Sequence, residues 1–206
     1  LCALPTGLGS ISDADVVSNY FNCTLPPGLL FSFETSSSAG WTTDGGDRAF
    51  NHTSGSTPSP NTGPSYGGSG YYYYAEASVP SQPSDLFTLA YDGSACSASG
   101  QVVATVSFLY HMYGRGMGNL RLVDAEGRVD WSLSGDQGDE WKKAESVDVY
   151  DSSFRFEYVR GDGPEGSYGD AAIDEVMVIC GTAPPSPPSP PSPPSPPPSP
   201  PPPSPP

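Results

Sequence analysis

Positive charge is scarce in this chain. Lys and Arg together number 8 against 23 Asp and Glu, a net charge of -15 over 206 residues. A phosphate backbone needs a basic patch to displace its counterions, so nucleic acid is excluded as a partner. Anionic membrane surfaces attract polybasic segments, which are also missing. No apolar run approaches the roughly 20 residues that span a bilayer, so no transmembrane helix is expected. Histidine is limited to His52 and His111, which leaves almost no redundancy for a metal site or a Ser-His-Asp triad, and no G-x-S-x-G elbow is present. Helical periodicity is lacking as well, since no segment sustains it over three turns.

Cysteine is sparse but even in number. Cys2, Cys23, Cys96 and Cys180 form no C-x-x-C pair, which removes zinc-ribbon and thioredoxin readings and leaves disulfides. The sequons at Asn22 and Asn51 point to the same oxidising secretory route, with N-glycans attached. Leu1 stands where a Met would, and Cys2 has no basic region before it, which fits a processed or excised chain.

What the chain does have is strand patterning. Residues 1–22 read as a connector in which Ser12 caps a short helix in "SDADVVSNYF". From Leu29 onward, segments such as "LLFSFET", "YYYYAEASVP", "DLFTLAYD", "NLRLVDAEG", "SFRFEYVRG" and "AAIDEVMVIC" are rich in β-branched and aromatic residues and are bounded by Gly, Asp or Ser. The polar stretch "SGSTPSPNTGPSYGGSG" between two of them is a loop. Eight or more short strands at close spacing predict an all-β, antiparallel sandwich or jelly roll over 23–181. Residues 182–206 form a separate Pro/Ser-rich stalk.

The stretch "FLYHMYGRGMGNLRL", 108–122, sets the sharpest question. Period two puts Ala104, Val106, Phe108, Tyr110 and Met112 on one face, which predicts a core face. His111 falls with Thr105 and Ser107 on the polar face, as a hydrogen-bonded or solvent-facing residue with no need of a metal. "GRGMG" suits a bulge or tight corner. "GDGPEG", 161–166, matches G-x-G-x-x-G, but its acids repel a pyrophosphate and it reads as a hairpin turn. In "YYYY", two rings fall on each face. One pair packs inside, and Tyr72 and Tyr74 are candidates to stack on a sugar or a partner, with Trp131 a further one. Among so many acids, Asp170 and Glu175 are one conceivable hydrolytic pair.

Six ordered blocks, "FSFE", "GW", "HTSGSTPSPNTGPSYGGSGYYYYAEAS", "SFLYHMYGRGMGNLRL", "GDQGDEW" and "FRFEYVRGDGPEGSYGDAAIDEV", resemble the motifs of the MAM domain. The resemblance implies a jelly-roll β-sandwich that serves extracellular recognition and assembly without catalysing a reaction. It implies a Cys96–Cys180 disulfide. The family's second cysteine is replaced here by Ala39, which leaves Cys2 as the partner of Cys23. It also implies a calcium or sodium ion held by Glu34, Asp44 or Asp47, and Asp174. Hard cations do collect carboxylates at converging strand ends.

The Ser-Pro-Pro repeat lacks amide donors and has a fixed φ, so it predicts a polyproline II rod of roughly 70 Å at about 3.1 Å per residue. It resembles the hydroxyproline-rich glycoproteins of green-algal and plant matrix. That implies O-glycosylated hydroxyproline at positions such as Pro187, Pro188, Pro190, Pro191, Pro193 and Pro194. The combined expectation is a non-enzymatic, secreted adhesive glycoprotein of a matrix, cell wall or flagellar surface, which assembles with other extracellular proteins or with itself. A carbohydrate-binding, lectin-like module is the alternative.

Overall fold

The computed structural model describes residues 28–35, 39–64, 70–162 and 165–183. The connector with Ser12, the Cys2–Cys23 pair, the sequon at Asn22 and the prolines from Pro187 to Pro194 lie outside the described residues.

Twelve strands and one short helix appear among them: β1 Leu29–Phe31, β2 Trp41–Thr42, β3 Arg48–Ala49, β4 Asn51–Ser54, β5 Tyr71–Ala75, β6 Leu86–Tyr91, α1 Ser94–Ser97, β7 Val102–Met112, β8 Asn119–Asp124, β9 Val129–Ser134, β10 Gly138–Asp151, β11 Phe154–Val159 and β12 Ala171–Gly181. The first sheet runs β10-β7-β12-β5-β4, with β1 also on β12. The second runs β2-β6-β11-β8-β9, with β3 also on β6. The two sheets stack as an antiparallel jelly-roll sandwich. The short β3–β6 pair is parallel.

Alternation builds the core between the sheets. Phe154, Phe156 and Tyr158 of β11 sit opposite Tyr91, Leu89 and Phe87 of β6 on one side, and Leu122 and Leu120 of β8 on the other. All are buried on the inner face. Facing them, Val106, Phe108 and Met112 of β7 are wholly buried, with Tyr110 partly buried against the same core. The predicted core face therefore holds, with one change. β7 carries an extra residue, Ala104, between Thr105 opposite Ile179 and Val103 opposite Cys180, which resets the alternation, so Val103 and not Ala104 joins the core.

The glycines after Met112 carry the chain from the first sheet to the second. A Cβ on Gly116 would overlap the carbonyl of Glu165, and one on Gly118 the carbonyl of Val159, so this corner requires side-chain-free backbone. The "GDGPEG" stretch is not a hairpin turn. It leads from β11 in the second sheet to β12 in the first, and these strands do not pair. Helix α1 was not foreseen, because its four residues are too few to register a period.

Cys96 of α1 and Cys180 of β12 are joined, with Cα atoms 5.3 Å apart and a sequence separation of 84. Cys96 is fully buried. Restricting so long a loop in the unfolded chain contributes about 4.5 kcal/mol in the chain-entropy model. The Cys96→Ala/Cys180→Ala variant is expected to lose roughly that much in urea unfolding. A loss under about 1 kcal/mol would show that the bond adds little to packing already in place.

Candidate functional site

The outer face of the first sheet is not an ordinary solvent face. Tyr72, Tyr74 and Ala172 form a second buried cluster there, with Trp141 of β10 packed on it. Tyr72 is 0% exposed and Tyr74 5%. The Tyr72 ring meets Trp141 edge-on at 5.5 Å, and its hydroxyl donates to the Gly55 carbonyl at 2.7 Å. The expectation that these two rings would stack on a ligand is thus corrected: alternation places them outward as foreseen, but that face is itself covered. The exposed ring of the run is Tyr71, stacked on His52 with ring centroids 4.9 Å apart. Trp131 is likewise packed on Phe108, edge-on at 5.1 Å.

His111 lies in the same covered layer and is 2% exposed, against the expectation of a solvent-facing alternative. Its Nε2 is 3.2 Å from Asp139 Oδ1. A carboxylate only accepts, so this nitrogen carries the proton and donates. Desolvation holds the imidazole pKa below its ordinary value, with Asp139 acting in the opposite direction, so the ring is neutral near pH 7. Trp141 meets His111 edge-on at 5.5 Å. Nδ1 of His111 and Nε1 of Trp141 have no hydrogen-bond partner among the described residues.

Above this layer, Asp139 and Tyr113 border a cavity of about 370 Å³ whose remaining wall is the loop Ser56–Pro64. The loop is tied at several points. Thr57 donates from N to the Pro64 carbonyl at 3.2 Å and from Oγ1 to the Thr62 carbonyl at 2.9 Å. Thr62 Oγ1 donates to the Tyr113 carbonyl at 3.0 Å and accepts from the Asp170 amide at 2.8 Å. The sequence marked this segment only as polar loop. Nothing in its Ser/Pro composition signals that Thr57 and Thr62 are buried anchors or that Asp139 meets it from β10.

The predicted cation ligands separate into two groups. Glu34 and Asp174 come together on the first sheet. Burial, then Glu175, then Glu34 raise the Asp174 carboxyl to about 7, opposed by a 2.7 Å hydrogen bond from the Glu175 amide. Asp44 and Asp47 do not join them. Asp44 is engaged with Thr42 Oγ1 at 3.1 Å, and Asp47 accepts the Leu86 amide at 3.0 Å, both beside the second sheet. The four-residue set is corrected to the pair Glu34 and Asp174. No group of three His, Cys, Asp or Glu gathers among the described residues.

Asp170 is 0% exposed and accepts the Ala77 amide at 2.9 Å. Burial raises its carboxyl to about 7, opposed by that amide. It has no open cleft to share with Glu175, which is exposed on β12, so this pair is not set up as acid and nucleophile. Of the 8 Lys and Arg, all but Arg160 are in ion pairs with carboxylates. Arg160 is buried and donates to the Ala77 carbonyl at 2.7 Å. No basic patch remains.

A family model described as "MAM domain, meprin/A5/mu" matches residues 31–182. The human "MAM domain-containing glycosylphosphatidylinositol anchor protein 1" is 38% identical over 138 residues, covering 61% of this chain and 14% of that protein. The mouse "MAM domain-containing glycosylphosphatidylinositol anchor protein 2" is 32% identical over 178 residues, covering 77% of this chain and 18% of that protein. The chain thus spans less than a fifth of either relative. Among solved structures, TmCBM61 in complex with β-1,4-galactotriose matches 72% of this chain and 93% of its own at 19% identity and a TM-score of 0.43. The K3 cleaved adhesin domain of Lys-gingipain from Porphyromonas gingivalis matches 73% and 96% at 10% identity, also at 0.43. The sugar in the first of these belongs to that protein's site.

Asp170 gives this site a pH signature. Its folded pKa is raised, so its contribution to stability is complete below about 4, the unfolded value, and is lost as pH rises through about 7. In calorimetric scans, the drop in Tm between pH 5 and pH 8 is expected to shrink in Asp170→Asn. An unchanged drop would show that Asp170 does not titrate in this window.

Proposed function

The chain belongs to the MAM domain family, and on that premise we propose that it is the adhesive and structural part of a secreted glycoprotein. Its surface engages other extracellular proteins or a second copy of itself, in a matrix, cell wall or surface filament. The observation that carries this reading is the family match across 31–182 on an intact two-sheet sandwich. The Cys96–Cys180 bond supports the extracellular side, because structural disulfides persist in oxidising compartments. Asn51 is exposed on β4, an edge strand, where an N-glycan has room. The Pro-Ser run supplies a glycosylated stalk that holds the domain away from its point of attachment. No helix among the described residues is long and apolar enough to cross a membrane.

Glu34 and Asp174 fit a hard cation, Ca²⁺ or Na⁺, as an exposed and a buried carboxylate that act on one another. The ion would supply the positive charge that favours the ionised form of Asp174, whose carboxyl burial raises to about 7. At pH 8, calcium is expected to raise the Tm of the wild-type chain and to leave Asp174→Asn unmoved. An equal rise in both would place the ion elsewhere.

Beads coated with the full chain are expected to bind extracellular material from the cells that secrete it. Beads carrying a synthetic 184–206 peptide are expected to bind less. Equal retention of the two would remove the adhesive role from the domain and give it to the stalk.

A further inference from the structure

We propose that the cavity bordered by Asp139, Tyr113 and the loop Ser56–Pro64 is a binding site for a neutral sugar ring or pair of rings. This goes beyond the adhesive reading and does not depend on it. It also moves any saccharide contact away from Tyr72 and Tyr74, which are buried.

The volume, about 370 Å³, lies at the small end of the roughly 300–1,000 Å³ range of ligand cavities, which suits one or two pyranose rings. The lining mixes the groups a polyol uses. Asp139, with its side chain 39% exposed, brings a carboxylate to the cavity wall. Ser56 and Asn61 add an exposed hydroxyl and an exposed amide. Pro58, Pro60 and Tyr113 supply apolar and ring surfaces for the C–H face of a sugar.

The carboxylate is aimed before any ligand arrives. His111 donates to one of its oxygens from a position that is 2% exposed, and the imidazole is itself set against Trp141. A buried neutral histidine behind an exposed carboxylate holds orientation without cancelling charge, so His111 is a positioning residue. The loop is prearranged too. Thr62 fastens it to the end of β7 and the start of β12 at once. Asn61, beside that anchor, takes the left-handed conformation with φ 60°, which Asn tolerates better than most residues. Little ordering entropy is left to lose on binding.

Charge selects the class of sugar. Asp139 lies beside Asp136 and Glu140, both of which act on His111. A uronate, sulfate or phosphate would meet the Asp139 carboxylate and no unpaired cation, so neutral saccharides are the fit.

Saturation-transfer NMR on the full chain, titrated with galactose, mannose, glucose and their disaccharides, tests the site. Galacturonate and a lysine amide serve as controls. Saturable transfer from at least one neutral sugar is expected, with none from galacturonate. Asp139→Ala is expected to weaken binding about tenfold, the scale of a hydrogen bond to a charged group. Asp139→Asn, which keeps an acceptor oxygen, should weaken it less. Asn61→Gly keeps the left-handed backbone and removes the amide, so it separates a lost contact from a lost fold. Unchanged Tm in these variants would confirm that the sandwich is intact. The proposal is overturned by absence of transfer from every neutral sugar, by galacturonate or the lysine amide binding as well as the neutral sugars, or by Asp139→Ala binding like wild type.

Discussion

The contact on which the rest depends is the one that holds the two sheets together at Phe108. Its ring meets Phe156 at 4.7 Å and Trp131 at 5.1 Å, both edge-on, which joins β7 of the first sheet to β11 and β9 of the second. Burying a Phe is worth about 1.5–3 kcal/mol, and each well-set aromatic pair adds about 0.5–1.5 kcal/mol. Trp41 extends the same packing to Phe33, Tyr91 and Phe154 at the other end of the sandwich. A chain with 23 Asp and Glu against 8 Lys and Arg relies on these rings for cohesion, because its acids repel one another.

Of the buried carboxylates and imidazole, His111, Asp170 and Asp174 lie on the first sheet or at its end, while Asp124 and Glu157 lie on the second, paired with Arg128 and with Arg121 and Arg155. Each is a cost to folding unless partnered. Asp170 is partnered by a backbone amide and His111 by Asp139, while Asp174 faces Glu34. The basic residues cannot relieve the excess, since all but Arg160 already serve local ion pairs. A partner must therefore bring cations, positive side chains or no charge at all. Strand addition at the long edge strand β10 is opposed by three register shifts against β7 and by residues of positive φ at Ser146 and Tyr150.

Most of the strands were legible because alternation is a local signal. "YYYYA", "LFTLAY" and "FRFEYV" read as strands and are strands. The face assignment of β7 was legible up to the register shift, which depends on how β12 pairs and has no mark in β7 itself. The hairpin at "GDGPEG" failed for the same reason: a turn composition does not say whether the next strand returns to its neighbour or crosses to the opposite sheet. At the candidate sites, period two correctly set Tyr72, Tyr74 and His111 outward, but it cannot report what lies over a face. Asp139 was missed because its meaning comes from His111, 28 positions earlier in the sequence. Asp44 and Asp47 were drawn in by the family resemblance, and their local hydrogen bonds engage them beside the second sheet.

The placement of the Cys96–Cys180 bond bears on how the molecule carries load. β12 is an interior strand, flanked by β7 on one side and by β5 and β1 on the other, and the Pro-Ser run begins just after it. Any force entering at the C-terminal end of β12 would reach Cys180 before most of the β12 ladder, and the sulfur bridge would pass part of it to Cys96 and the segment leading to β7. A pull along the strand must then shear two ladders together instead of peeling one open. The bridge acts there as a rivet through two plates, joining the far end of β12 to the segment that opens β7.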